Sequence, residues 1–171
     1  MKIGIDIDDT FVSTSESFDE VVKKYNLDFK KKFKDTWTKE EKNFIFDNYL
    51  KEILMNAKLK ENAKEVVNYL NDLGHKLVII TARGNKHCDG IEEFTKDFIE
   101  LEKINISEIY FGEYKKSDLA KKLNLNLMID DSFYVYNNMK KENIECILFG
   151  DKIKTWKEVL KYIERKDKDD G

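Results

Sequence analysis

Three carboxylates stand close together near the start of the chain, in the run IDIDDT at residues 5–10. Like charges crowded in this way destabilise a segment unless a cation lies beside them. Asp6 and Asp8 are two positions apart, so in an extended segment their side chains point to one face. This spacing predicts a site that holds a cation. The alternative is that the acids end a strand in solvent or cap a helix.

Two later turns carry polar residues that suit the same chemistry. Thr81, Ala82 and Arg83 follow an apolar run, and a hydroxyl beside the N–H groups of a turn can bind a phosphate oxygen. Asp130 and Asp131 follow another apolar run, and carboxylate oxygens are ligands that hard cations prefer. If both runs are parallel strands beside the first one, these groups meet at one edge of a sheet. For Thr81 alone, a residue that only caps the next turn explains the position equally well.

Two lysines, Lys115 and Lys116, stand at the start of the helical pattern that leads to the second acid pair. A lysine at this position can neutralise a phosphate or an aspartate. Because lysines at helix starts are usually solvated, the pair indicates a site only together with the acids. The spacing to the helix face at 119–123 favours Lys116, although either lysine fits the pattern.

Five short apolar runs, each bounded by polar residues, are typical of buried strands in a parallel sheet. They are Ile3–Ile7, Leu77–Ile80, Ile109–Phe111, Leu127–Ile129 and Cys146–Phe149. The stretches between them have apolar residues at helical spacing. These predicted helices are Ala63–Leu73, Ile91–Leu101, Asp118–Leu123, Val135–Lys141 and Trp156–Ile163, with Ser117, Ser132 and Thr155 as N-caps of the last three. The pattern predicts an α/β protein.

The interval between the first and second predicted strands, about 70 residues, is longer than a simple crossover needs. It contains two helical patterns, Phe18–Tyr25 and Lys39–Met55, and a dense set of aromatic residues. We expect a small helical cap over the carboxyl ends of the strands, where open α/β sheets bind ligands. An elaborated crossover packed on the core is the alternative. The predicted division is 1–12 and 61–165 for the core, 13–60 for the cap and 166–171 for a disordered tail.

The composition excludes several classes of function. The 171 residues include 31 Lys and Arg against 34 Asp and Glu, a net charge of -3, which gives no broad attraction to a nucleic-acid polymer or an anionic membrane. No apolar run approaches the roughly 20 residues of a membrane helix, and the first residues lack the pattern of a secretory signal. Cys88 and Cys146 lack metal-ligand spacing and are expected to be free thiols. We therefore expect a cytoplasmic protein that binds ligands at a local site.

In the order Asp-x-Asp, Thr, Lys, Asp-Asp, these motifs resemble the haloacid dehalogenase-like (HAD) superfamily of phosphotransferases. The resemblance covers residues 1–10 and 75–163 and implies a Rossmann-like parallel sheet flanked by helices, with a small helical cap inserted after the first strand. It also implies that Asp6 attacks phosphorus and becomes a phosphoaspartate. Asp8 would protonate the leaving oxygen and later deprotonate the water that hydrolyses the intermediate. Thr10 would help to orient the Asp8 side chain.

The same resemblance implies how the site binds phosphate and metal. The residues that would bind the transferring phosphoryl group are Asp9, Thr81, Ala82 and Lys116. A Mg²⁺ ion would be held by the Asp6 carboxylate, the Asp8 main-chain carbonyl and the Asp131 carboxylate. Many relatives have a further acid in the following helix, but residues 133–136 supply none, so Asp130 is the alternative metal ligand.

Two short segments carry a finer resemblance. The turn ITARG at 80–84 and the run MIDDS at 128–132 look like the small cytosolic 5'-nucleotidase branch, close to the type C deoxyribonucleotidases. This implies a (deoxy)nucleoside monophosphate as substrate, with Arg83 touching the phosphate or the sugar, or else forming a surface ion pair. The residue expected to stack on the base is Phe11, and the alternatives are Phe18, Trp37, Phe44 and Tyr49. The alternatives are a phosphatase of a sugar phosphate or other small phosphometabolite, and a non-catalytic phosphorylation switch of the response-regulator receiver type. Each hypothesis is compatible with a homo-oligomer.

Overall fold

The sheet of this protein has the first strand of the chain at its centre. The structure, a computed structural model, describes residues 1–33 and 35–170. The strands are β1 (Lys2–Ile5), β2 (Lys76–Ile80), β3 (Glu108–Tyr110), β4 (Leu127–Asp130) and β5 (Glu145–Leu148). All pairs are parallel, and the order is β3-β2-β1-β4-β5. The strand order therefore reverses between β1 and β4, and the carboxyl ends of strands at such a point are where open α/β sheets bind ligands.

Helices cover both faces of the sheet. They are α1 (Thr14–Lys24), α2 (Lys39–Asn48), α3 (Leu50–Asn56), α4 (Ala63–Asp72), α5 (Ile91–Leu101), α6 (Lys116–Lys122), α7 (Phe133–Lys141) and α8 (Trp156–Asp170). Alternate strand residues point to opposite faces, so Ile79 packs in the layer of α4 and α8 while Val78 packs in that of α6 and α7. The architecture confirms the predicted α/β fold class. None of the described helices is long and apolar enough to cross a membrane, and both cysteines are free thiols.

The five strands lie within two residues of their predicted bounds, whereas two helical predictions are wrong in detail. The pattern at 39–55 forms two helices, because the backbone breaks at Tyr49 with φ -132° and ψ -15°; this lets Ile45 and Ile53 both pack against α1. Helix α6 begins at Lys116 rather than after Ser117, since its first turn is held by the ion pairs of Lys116 described below. The predicted caps of α7 and α8 are confirmed by bonds from their own first turns.

The segment predicted as a cap has an apolar cluster of its own. Phe18 of α1 is buried against α2 and α3 and contacts the aromatic rings of Phe29, Phe33 and Trp37, with ring centroids 5.5–5.6 Å apart. Helix α3 also packs on α5 of the core through Leu50 and its neighbours. The aromatic residues therefore build the segment and attach it to the core, while the boundaries at 13 and 60 stay a prediction.

The end of the chain is helical, which corrects the expectation of a disordered tail. Helix α8 runs from Trp156 to Asp170, so residues 166–170 continue it; Gly171 lies outside the described residues. The physical reason is an ion pair between Lys166 and Glu145 of β5, which holds the later turns of the helix beside the edge of the sheet.

Candidate active site

The site lies where β1 and β4 end side by side. Asp6 directly follows β1, and Asp130 is the last residue of β4. The Asp6 N–H donates to the Ile129 carbonyl over 3.0 Å, which continues the pairing of the two strands up to the site. The reversal of strand order thus brings the two acidic turns together, as the sequence predicts.

Lys116 joins the two acidic turns. Its Nζ lies 2.5 Å from Asp6 Oδ1 and 2.7 Å from Asp130 Oδ2, and its side chain is 6% exposed. Burial lowers the pKa of this ammonium group, but the two carboxylates outweigh burial and raise it above its ordinary value. The group therefore stays charged. Lys115 is exposed at the helix start, so of the two candidate lysines Lys116 reaches the acids.

Asp130 is the buried partner of this lysine. It is fully inaccessible, and its Oδ1 accepts the Ser132 N–H over 2.8 Å while Oδ2 faces Lys116. Burial, and then the nearby Asp6, raise the pKa of Asp130 to about 7 against the opposing effect of Lys116. Asp130 is fully buried, whereas Asp131 is half-buried, so Asp131 is the more accessible candidate metal ligand.

The Thr10 hydroxyl lies between Asp6 and Asp131. It was expected to orient the Asp8 side chain instead. The hydroxyl oxygen lies 3.3 Å from Asp6 Oδ2 and 3.3 Å from Asp131 Oδ1, and it accepts the Asp131 N–H over 3.0 Å. One hydroxyl proton serves one carboxylate at a time. The expected orientation of Asp8 by Thr10 is therefore wrong, because the turn places this hydroxyl over the β1–β4 seam.

Carboxylates of the two acidic turns lie close enough together to hold a metal ion. Carboxylate oxygens of Asp6, Asp130 and Asp131 lie within 4.8 Å of one another. Asp8 is a fourth acid of the site, and among residues 1–33 and 35–170 the ion pairs of these acids include those to Lys116 and to one arginine described below. An all-oxygen donor set suits Mg²⁺. Asp6 and Asp131 would hold the ion, with the Asp8 main-chain carbonyl as a predicted third ligand.

Asp8 forms an ion pair with a buried arginine, Arg83. Arg83 Nη2 lies 2.7 Å from Asp8 Oδ1, and Arg83 Nε lies 3.2 and 3.1 Å from its two oxygens. The Thr14 hydroxyl donates to the same Oδ1 over 2.5 Å. Arg83 Nη1 and Nη2 also reach Thr95 Oγ1 and the Leu54 carbonyl, at 3.3 and 3.4 Å. Each guanidinium nitrogen thus has an acceptor within the protein, while Arg83 also borders the apolar cavity described below, so its predicted contact with the substrate stays a prediction.

Phe11 was expected to stack on a substrate base, and the structure corrects this. The ring is 1% exposed and packs edge to face on Trp156, with centroids 5.5 Å apart. Asp9 has φ +62°, and the Phe11 N–H closes the turn onto the Ile7 carbonyl over 2.8 Å. This tight turn sends the ring into the core. The Trp156 indole N–H also donates to the Thr10 carbonyl over 3.0 Å, so helix α8 supports the turn directly.

The predicted phosphate ligands differ in how they are placed. Ala82 is exposed at the mouth of the site, but Thr81 is fully buried and its hydroxyl accepts the N–H of the second residue after it over 3.1 Å. The Asp9 carboxylate binds the N–H and hydroxyl of Ser15 at 2.7 and 2.6 Å, and the Asp9 N–H donates to the Val12 carbonyl. This geometry gives the Asp9 prediction no support. Phosphate binding by Thr81, Ala82 and Lys116 stays a prediction.

Two cavities meet above the acids. The acidic cavity, about 440 Å³, is bordered by the four acids, Lys116 and Tyr134. The apolar cavity, about 310 Å³, lies between the cap segment and the core and is bordered by Phe33, Phe46 and Leu54, with polar groups that include Lys42, Arg83 and His87. Asp8, Ala82 and Tyr114 border both cavities. The sequence pattern had no signal for Phe46 or Tyr114, because neither follows a strand end or a motif.

Comparison with solved structures identifies the fold. A HAD-superfamily hydrolase from Ehrlichia chaffeensis superposes with a TM-score of 0.56 at 13% identity, covering 96% of each chain. A predicted phosphatase from Clostridium acetobutylicum gives 0.61 at 17% identity, over 87% of this chain and 84% of that one. The fold is that of HAD-superfamily hydrolases. A predicted phosphoglycolate phosphatase from Haemophilus somnus, at 0.57 and 19% identity over 87% and 84% of the chains, has the same fold.

The identities between this chain and the HAD structures are low, and they show the fold alone. No protein-family model matches the chain, and no curated protein matches it. On the HAD fold the predicted motifs fall at the ends of three neighbouring strands and at the start of α6. The roles of the individual residues therefore rest on the geometry described above.

Mg²⁺ is expected to stabilise the folded protein through Asp131. At about 100 times its dissociation constant, an ion that binds only the folded state adds about 2.7 kcal/mol to the free energy of unfolding. Asp131→Asn should remove most of this gain, because a charged ligand of the ion is lost. Thermal unfolding with EDTA and with Mg²⁺ measures the effect. Asp151→Asn, at an exposed loop acid, is the control, and an equal gain in both variants would contradict the assignment.

Proposed function

We propose that this protein is a Mg²⁺-dependent phosphomonoester hydrolase that works through a phosphoaspartate on Asp6. The observation that carries the proposal is the buried arrangement of Asp6, Lys116 and Asp130 at the wall of the acidic cavity. It places a carboxylate nucleophile beside one ammonium group, with open volume in front of it. The HAD fold of phosphatases and hydrolases supports the same chemistry.

The residues of the site have separate tasks in this reaction. In the first step an Asp6 oxygen attacks phosphorus, the bond between phosphorus and the alcohol oxygen breaks, and Asp8 gives its proton to that oxygen. In the second step Asp8 takes a proton from water, the water oxygen attacks phosphorus, and the bond to Asp6 breaks to release phosphate. Lys116 offsets the repulsion between Asp6 and the anionic substrate. A bound Mg²⁺ supplies further positive charge at the phosphoryl oxygens.

The phosphorylation-switch alternative is less well supported. Receiver domains such as CheY have the strand order 2-1-3-4-5, with the first strand beside the third. Here β1 lies between β2 and β4, and the order is β3-β2-β1-β4-β5. A non-catalytic receiver would therefore need a different sheet.

The proposed substrate is a small phosphorylated metabolite whose alcohol part enters the apolar cavity. A structural neighbour described as a predicted phosphoglycolate phosphatase favours a small phosphometabolite in general. A nucleoside monophosphate is the second candidate, and one observation favours it. Phe33, Phe46 and Tyr114 border the apolar cavity, and aromatic faces stack on nucleobases.

Phosphate release from a substrate panel tests the function and separates the two substrate classes. The panel contains p-nitrophenyl phosphate, phosphoglycolate, ribose 5-phosphate and nucleoside 5'-monophosphates, each with Mg²⁺ and with EDTA. We expect Mg²⁺-dependent release of phosphate. A higher kcat/KM for nucleotides than for ribose 5-phosphate supports the second candidate, and the reverse order supports the first. Folded protein that releases no phosphate from any member contradicts the proposed function.

A further inference from the structure

The arginine that holds Asp8 is unusually well fixed. Its side chain is 4% exposed, and that of Asp8 is 16% exposed. The main chain of Arg83 is held at both ends, because its N–H donates to Thr81 Oγ1 over 3.1 Å and its carbonyl accepts the Gly112 N–H over 2.7 Å. The guanidinium group is anchored as well, by Thr95 Oγ1 at 3.3 Å. Both ends of the side chain therefore have a defined position.

The contact between the two groups is directional. A guanidinium that binds a carboxylate through two nitrogens sets its orientation, which the single point charge of a lysine cannot do. Here Nε and Nη2 share the two oxygens of Asp8 at 2.7–3.2 Å, and the Thr14 hydroxyl approaches one of them from α1. Proton transfer requires the carboxylate within hydrogen-bond distance of the reacting oxygen, so its orientation matters for the rate.

We propose that Arg83 is a positioning residue that sets the Asp8 carboxylate for proton transfer, and that it links this carboxylate to the cap segment. The link is the Leu54 carbonyl of α3, 3.4 Å from Arg83 Nη2, together with Thr14 of α1 on Asp8 itself. This role is distinct from substrate binding, because Arg83 Nε and Nη2 both face Asp8 and Nη1 lies 3.3 Å from Thr95 Oγ1. The inference rests on the proposed function, in which Asp8 transfers the proton.

The kinetics of two substrates test this role. An alkyl phosphomonoester such as glycerol 2-phosphate needs a proton on its leaving oxygen, whereas p-nitrophenolate leaves without one. Because kcat/KM reports the steps up to phosphoryl transfer, it isolates the step in which Asp8 is the acid. In Arg83→Met, kcat/KM for the alkyl ester should fall about 100-fold, which is the effect of a misplacement of about 1 Å. For p-nitrophenyl phosphate the fall in kcat/KM should be only about tenfold. Arg83→Lys should not restore it.

A second variant and a control keep the test independent of folding. Thr95→Val removes one anchor of Arg83 at constant volume and should show the same selective loss on a smaller scale. Ser17→Ala removes a buried hydrogen bond of 2.7 Å to the Ile53 carbonyl, within the same cap contact, and touches neither Arg83 nor Asp8. It should leave the ratio of the two kcat/KM values at the wild-type value.

The outcomes separate the inference from the proposed function. A selective loss on the alkyl ester in Arg83→Met and Thr95→Val, with an unchanged inhibition constant for inorganic phosphate, supports the positioning role. An equal loss on both substrates, or a weakened affinity for phosphate, overturns it while the hydrolase function stands. Wild-type protein that is inactive on both esters overturns the proposed function and this inference with it.

Discussion

Asp6→Asn is expected to lower kcat by more than about 10⁴-fold, the scale seen when a covalent nucleophile is removed. The amide has no charged oxygen with which to attack phosphorus. Asn keeps the size of the side chain, and its carbonyl can still accept the hydrogen bond from Lys116, which retains Asp130 as its ion partner. The protein should therefore fold, and a loss of activity reports the chemistry rather than the stability.

Phosphate release and thermal unfolding, measured on the same preparation, check this result. Asp6→Glu is the matched variant, because it keeps the charge but moves the carboxylate by about one methylene; it should be as inactive as Asn if position decides. Borohydride reduction of wild-type protein that is acid-quenched during turnover of a substrate should convert the phosphorylated Asp6 to homoserine, with release of phosphate. Turnover by Asp6→Asn without deamidation, verified by mass spectrometry, would remove Asp6 from the nucleophile role.

Lys116→Met is expected to lower the free energy of unfolding by about 3–5 kcal/mol, because removing one partner leaves buried charges uncompensated. Asp6 and Asp130 are 5% and 0% exposed, and both face the Lys116 ammonium group. Urea unfolding in EDTA measures the difference. Lys115→Met removes the same charge from the exposed neighbouring position and should change the free energy of unfolding by about 0.5 kcal/mol or less. Equal effects of the two variants would contradict the assignment of Lys116.

The destabilisation should grow with pH. The pKa of Asp130 is raised to about 7 in the folded protein, above its ordinary value of 3.8, so between these values the folded state binds more protons than the unfolded state. The stability that this proton contributes is present at low pH and is lost as pH rises through about 7. Loss of the Lys116 charge favours the protonated acid further. The difference in free energy of unfolding between Lys116→Met and wild type should be larger at pH 8 than at pH 5.5. A difference that becomes smaller at pH 8 would count against this explanation.

The parts of the site that follow strand ends could be predicted from the sequence. Asp6 and Asp130 stand directly at the ends of apolar runs, and parallel strands bring their carboxyl ends to one edge. The sequence limited the candidate lysine to Lys115 or Lys116, because both stand at the start of the helix that leads into β4. These predictions required only the pattern of apolar residues along the sequence and the parallel direction of the strands.

The spacing of residues in the sequence could not predict which side chains contact one another in the site. Arg83 and Asp8 are 75 residues apart, and nothing local indicates that they meet. Phe11 was misassigned because the tight turn with a left-handed backbone at Asp9 places its ring in the core. The helical tail was missed because its ion pair to β5 depends on a partner about 20 residues earlier. Tertiary contacts, not residue types, decided each case.

The hydrogen bond from Trp156 to the Thr10 carbonyl, with Phe11 packed on the same indole, has a consequence for the order of events during synthesis. The turn that contains Thr10 is synthesised before the indole that supports it, because Trp156 lies 146 positions after Thr10. The central strand likewise waits for β4 before it is paired on both sides. If Asp6 is the nucleophile, as proposed, a nascent chain has it before the turn around it is supported, and we expect hydrolysis only after α8 has been made.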